Sequence, residues 1–167
     1  MGRLQRLSAN LFNDWFQLRR RFPAPVLDDI ATAIAEGELT HKGEVRLALE
    51  SRLGPWPVLH GLDAPTRARH VFVDLRVWDT EHNNGVLIYV LMAERRIEVV
   101  ADRGIAQRVQ PDEWKTMCAR MQEHFAQGAW REGALRGIAD AHALLQLHFP
   151  ADGQSRLDEL PDRPVLL

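Results

Sequence analysis

The chain has 167 residues, of which 46% are hydrophobic and 26% charged, with a net charge of −2. That is enough for one domain with a substantial core, and it excludes a disordered or fibrous chain. A charge so near zero lacks the clustered lysine and arginine that phosphate neutralisation needs, so no nucleic-acid partner is expected.

The single cysteine, Cys118, excludes an internal disulfide and a thiolate metal cage. Set between Met117 and Met121, it reads as a small buried apolar residue. The N-terminal stretch has charges at both ends, no uninterrupted apolar segment and no small-residue cleavage site, so it does not read as a secretory signal. The longest apolar run, residues 86–93, is shorter than the roughly 20 residues a spanning helix needs. The cytoplasm is therefore the expected compartment.

Residues 4–22 place Leu4, Leu7, Leu11, Trp15, Leu18 and Phe22 at steps of three and four, the apolar stripe of one amphipathic helix. This unit, residues 1–22, is expected to pack on the domain and to end at Pro23 and Pro25. Arg3, Arg6, Arg19, Arg20 and Arg21 also make it basic, as in helices that lie on an anionic membrane surface or dock on a protein partner. A second helix starts at Pro25, with Asp28 and Asp29 near its positive end and Leu27, Ile30, Ala31 and Ile34 inward.

Val45, Leu47 and Leu49 alternate with Arg46, Ala48 and Glu50, which predicts a half-exposed strand. Gly54-Pro55-Trp56-Pro57 reads as a loop. Asp63 is a candidate cap for a helix over residues 64–75, with Ala68, Val71, Phe72 and Leu75 inward. After the polar loop 79–84 and Gly85, the β-branched run 86–92 predicts a central strand. The alternating stretch 96–101 follows so closely that the two strands must be antiparallel.

Two helices follow. Trp114, Met117, Cys118, Met121 and Phe125 line the first, which Gly128 stops; Leu135, Ile138, Leu145 and Phe149 line the second, over residues 130–149. His142 and His148 lie six apart on it and read as bystanders. Residues 23–150 thus form the α/β domain. Residues 151–167, polar and proline-rich without periodicity, are expected to be a flexible tail. The order of elements predicts an α/β sandwich with a small mixed sheet, its first two strands parallel across a right-handed crossover.

That topology gathers three loops at one sheet edge. The start of the first strand brings Glu38, His41 and Glu44; the start of the second brings Asp79, Glu81, His82, Asn83 and Asn84; the end of the third brings Asp102 and Arg103. Oxygen-rich groups from separate loops are what a hard divalent cation, calcium or magnesium, requires. Asp79, Glu81 and Asp102 are candidate ligands, with Asn83 or Asn84 adding a carbonyl oxygen. The same asparagines and aspartates are also ordinary loop formers. His41 and Glu44, three apart, read as a surface pair more than as a ligand pair. No phosphate-cradling glycine loop and no nucleophile elbow are present.

Trp78-Asp79, Asn83-Asn84-Gly85-Val86-Leu87-Ile88, Arg95-Arg96 and Asp102-Arg103-Gly104-Ile105, followed by Phe125, Gly128 and Trp130-Arg131-Glu132-Gly133, resemble the core of the TPM domain, sometimes called the TPM phosphatase domain. The likeness covers residues 30–147. It implies a three-layer α/β/α sandwich, divalent-metal binding, and the acid phosphatase activity attributed to some members; other members act in assembly or repair of membrane complexes. The family's acidic positions map onto Asp79 and Asp102, and less closely onto Glu81, Asn84 and Asp112. Many relatives carry a signal peptide and a C-terminal membrane span, which are not expected here.

Two functions follow as expectations. In one, Asp79, Glu81, Asn84 and Asp102 hold a cation and Asp79, Asp102 and Arg103 serve phosphomonoester hydrolysis, Arg103 neutralising the phosphate. In the other, the chain is a non-catalytic module that docks on a membrane-associated or protein partner through its N-terminal helix or its tail.

Overall fold

The computed structural model describes residues 2–12, 15–153 and 159–167. Its sheet is built around the β-branched run, now strand β2 (Gly85–Leu91). A strand without polar residues on either side must be covered on both faces, and every residue of β2 is buried. Strand β1 (Glu44–Glu50) lies parallel beside it with Val45 opposite Val86, and β3 (Arg96–Ala101) lies antiparallel on its other side with Ala101 opposite Val86. Strand β4 (Val165–Leu166) pairs parallel with the outer edge of β1, which gives the order β3-β2-β1-β4.

Helices cover both faces. Along the chain these are α1 (Arg3–Phe12), α2 (Trp15–Arg21), α3 (Ala24–Glu38), α4 (Pro55–Leu59), α5 (Ala64–Asp74), α6 (Arg103–Ala106), α7 (Pro111–Ala126) and α8 (Trp130–His148). Val45, Leu47, Ile88 and Val90 face Ile30 and Ile34 of α3, Met121 of α7, and Ile138 and Leu145 of α8. On the other face Ala48, Leu87, Tyr89 and Leu91 meet Val58 of α4 and Ala68, Val71 and Phe72 of α5. The result is a three-layer α/β/α sandwich with a mixed sheet.

Asp63 caps α5 by accepting the Thr66 N–H at 2.9 Å. The α7–α8 seam is unusually close: a Cβ at Gly133 would come within 2.6 Å of the Phe125 ring, and one at Gly137 would overlap the Met121 side chain. Only glycine lets the two helices meet so tightly there.

Several expectations need correction. The segment at residues 55–59 is a short helix, α4, which Pro55 starts because a first-turn residue needs no N–H donor. The stretch expected as one helix over residues 4–22 is helical as Arg3–Phe12 and Trp15–Arg21, and residues 13–14 between them lie outside the described ones. Strand β1 is buried along its whole length rather than half-exposed, because Val58 of α4, residues of α5 and Leu160 cover the face bearing Ala48 while β4 pairs along its outer edge. Its polar residues have partners: Arg46 Nη1 donates to the Arg163 carbonyl at 2.9 Å, while Glu50 accepts from Arg67 Nε at 2.9 Å and from the Tyr89 hydroxyl at 2.6 Å.

The end of the expected flexible tail is sheet and core. Leu160 is buried beneath α5 and Leu167 N donates to Leu49 O at 2.9 Å; residues 154–158 of that tail lie outside the described ones.

The N-terminal helices are tied to the domain. Leu18 and Phe22 are core residues, and Phe22 makes edge contacts with Phe125 and Trp130. Asn10 accepts the Leu53 N–H at 2.7 Å and donates to Glu94, which also binds Arg6 Nε at 2.8 Å. Among the described residues no helix is long and apolar enough to cross a membrane. Cys118 is half-buried, and burial together with the charge of Glu98 pushes its thiol up to about 11, away from nucleophile chemistry.

Candidate functional site

Parallel pairing of β1 with β2 brings their starts to one edge, and antiparallel pairing of β3 returns its end to the same edge. The three loops bond to one another there. Glu44 N donates to Asn84 O, Asp102 N to Gly85 O at 2.9 Å and Gly104 N to Asn83 O at 3.0 Å. The Asn84 side-chain amide donates to Lys42 O at 2.6 Å, which ties the second loop to the first. Asn83 adopts a left-handed φ of 52°, a conformation asparagine tolerates well, and its Oδ1 receives Arg103 Nε and Nη2 at 3.0 and 2.9 Å. Arg103 is exposed, with its guanidinium held on Asn83.

The candidate ligands divide into two kinds. Asp79 and Glu81 are exposed on the loop before β2, and their carboxylates make no hydrogen bond or ion pair among the described residues. Asn84 and Asp102 are drawn inward. Asp102 begins the short helix α6, its Oδ1 accepting the Arg103 N–H at 2.7 Å. Its Oδ2 and the Oδ1 of Asn84 are both buried and receive no hydrogen bond. A buried acceptor without a donor costs roughly 1–3 kcal/mol. Two of them lie on bonded neighbouring loops. Among the described residues no group of three or more His, Cys, Asp or Glu side chains is gathered as a metal cage. Asp112 stands apart in the first turn of α7, exposed and paired with Lys115, whose ammonium lowers its pKa.

Comparison with known proteins bears on what this edge belongs to. The TPM domain family matches residues 23–144. The chain belongs to the TPM domain family. The solved NMR structure of BA42 protein from the psychrophilic bacterium Bizionia argentinensis is similar, with a TM-score of 0.76 and 32% identity over 86% of this chain and 94% of that one. None of the curated proteins compared matches the chain.

In this TPM domain the polar edge also includes residues outside the candidate ligand set. His41 and Glu44, which fitted a surface pair, are both buried. His142, read as a bystander, is buried too and lies 2.7 Å from His41, Nδ1 to Nε2, with the rings stacked. Gly43 N donates to His41 Nδ1 at 3.1 Å, so the neutral His41 carries its proton on Nε2 and passes that hydrogen bond to His142. Room for the second ring comes from Gly37, where any Cβ would overlap it. Glu38, in the last turn of α3, accepts the Val45 N–H at 2.7 Å and so fixes where β1 begins. Glu159 reaches in from the C-terminal segment, its carboxylate accepting the Glu81 N–H at 3.0 Å. The TPM motif residues gave no sign of these partners, since 101 positions separate the two histidines and 78 separate Glu81 from Glu159.

Proposed function

We propose that the edge formed by the starts of β1 and β2 and the end of β3 binds a divalent cation, calcium or magnesium, and supports weak hydrolysis of phosphate monoesters. The observation that carries this reading is the pair of buried, undonated oxygens, Asn84 Oδ1 and Asp102 Oδ2. They supply neutral and anionic oxygen of the kind hard cations take, and Asp79 and Glu81 stand exposed on an adjoining loop to complete a coordination shell. A bound cation supplies Lewis-acid chemistry, polarising a phosphoryl oxygen and acidifying a water. The chain's own part is to hold that cation through Asp102 and Asn84 and to offer Arg103, already oriented by Asn83, as the counter-charge for a phosphate group.

Thermal unfolding of the metal-stripped protein, with calcium, magnesium, manganese and zinc added in turn, tests the cation. At about 100 times its dissociation constant a ligand adds roughly 2.7 kcal/mol, a rise in Tm of about 5–10 °C for a chain of this size. Asp102→Asn keeps the helix cap, since asparagine caps as well as aspartate, and removes the charge. It is expected to lose the shift together with hydrolysis of p-nitrophenyl phosphate. No shift with any cation overturns the reading, and hydrolysis unchanged in the variant assigns that activity to a contaminant.

A second reading, docking on a membrane surface or a protein, is favoured by Leu4, Leu11 and Phe16, which remain exposed, and by Arg19, Arg20 and Arg21 in the last turn of α2. Removal of the whole segment cannot test it, because Leu18 and Phe22 are core. Leu4→Ser with Phe16→Ser is the selective change. Loss of sedimentation with anionic vesicles in that variant supports membrane docking, and no sedimentation of the parent chain removes it.

A further inference from the structure

At the opposite end of the sheet, beyond the carboxyl end of β2, lies a cavity of about 920 Å³ that the polar edge does not use. Its apolar lining comes from Val90, Met92 and Ile97 of the β2–β3 hairpin and from Phe125 and Trp130 at the α7–α8 turn; α1 and α2 form its remaining side. Two arginines line it as well. Arg21 at the end of α2 stacks on Trp130, 4.5 Å from the ring centroid, with one long contact to Gln17 at 3.3 Å. Arg95 projects from the hairpin turn with a left-handed φ of 52°, and its guanidinium has no hydrogen-bond or ion-pair partner among the described residues.

Among the described residues of the lining Glu94 is the one carboxylate, and its two oxygens are taken by Arg6 Nε at 2.8 Å and Asn10 Nδ2 at 2.9 Å. The two guanidiniums therefore act on one another: burial, and then the charge of Arg95, lower the pKa of Arg21. Two like charges kept together across an apolar hollow are relieved by an anion between them, and the guanidinium fork matches the oxygens of a carboxylate or phosphate. A bare inorganic anion would leave the apolar lining uncovered, and a cation would meet only repulsion. The volume suits a small organic molecule.

We propose that this cavity binds a small organic anion, its apolar body on Val90, Met92, Ile97 and Phe125 and its carboxylate or phosphate between Arg21 and Arg95.

Calorimetric titration of the full chain in low salt and EDTA tests this, with octanoate and octyl phosphate as probes and octanol and inorganic phosphate as controls. EDTA keeps any cation at the other edge out of the measurement. The expected result is saturable binding of one or both amphipathic anions, at least about tenfold tighter than octanol and weakened by added salt. Preference for octyl phosphate assigns a phosphate head, and preference for octanoate a carboxylate. Arg95→Gln is expected to weaken anion binding about tenfold while leaving octanol unchanged, and Asp102→Asn to change neither. Arg95 is exposed in a turn, so this variant keeps the fold even where Arg21→Gln, which gives up the Trp130 stack, does not. Failure of both anions to bind, equal affinity for octanol and octanoate, or anion binding unchanged by Arg95→Gln overturns the proposal.

Discussion

Buried polar residues decide more here than their number suggests. Glu50 sits under the sheet with Arg67 and Tyr89 on its two oxygens, and burial together with the Glu50 charge raises the pKa of the Tyr89 hydroxyl. Removing that hydroxyl alone, in Tyr89→Phe, takes a donor from a buried carboxylate, and urea unfolding is expected to show a loss of about 1.5–3 kcal/mol. Gly37→Ala should be no milder, because its methyl would have to displace the His142 ring. At Asp63 the expected effect depends on pH. Its hydrogen bonds to Thr66 lower its pKa in the folded state, so the stability it contributes is present above the unfolded value near 3.9 and is lost as pH falls through the lower folded one. Asp63 is exposed, so solvent screening keeps the cap at the low end. Asp63→Ala is expected to cost about 0.5–1 kcal/mol at pH 7, with the gap to the parent closing below about pH 4.

Among the elements, β4 has the largest effect for its length. Two residues convert β1 from an edge into an interior strand, and Arg163 O and Leu160 fill in beside it. Omission of residues 159–167 is expected to lower stability by at least about 2 kcal/mol, from Leu160 alone, and to leave a chain that associates through the bared edge of β1. Light scattering alongside the unfolding curve separates the two effects. The contrast between β1 and β2 explains what a reader of the sequence can and cannot find. β2 is a run of apolar β-branched residues, so its own composition reports that both faces are covered. β1 alternates Arg46 and Glu50 with leucine and valine, the pattern of a strand with one wet face, because the partners of these buried side chains, Arg67, Tyr89 and Arg163, lie 17, 39 and 117 positions away. The polar edge divides the same way. Convergence of its loops follows from strand order, and strand order follows from the length of the crossover. Which oxygens lie buried, and that His142 rather than a surface water meets His41, are set by the packing of α3 on α8.

For the molecule as a whole, the core runs from Leu18 in α2 to Leu166 in β4, so no part of the described chain is separable. Tryptophan fluorescence and far-ultraviolet circular dichroism are accordingly expected to report one coincident unfolding transition. An earlier loss of helix signal would mark α1 and α2 as a unit of their own. The glycines of α8 extend this dependence from equilibrium to the order of events in folding. Gly133 and Gly137 each cost an isolated helix about 1 kcal/mol relative to alanine, and they yield contact only once Phe125 and Met121 are there to fill the notches. Helix α8 is therefore a poor seed. It can close onto α7 locally, but its other neighbour, α3, lies about 100 residues upstream, and that chain closure must precede the reward for it. The slow step of folding is expected to be the meeting of the two ends of this helical layer, with the glycine notches making α8 wait for it.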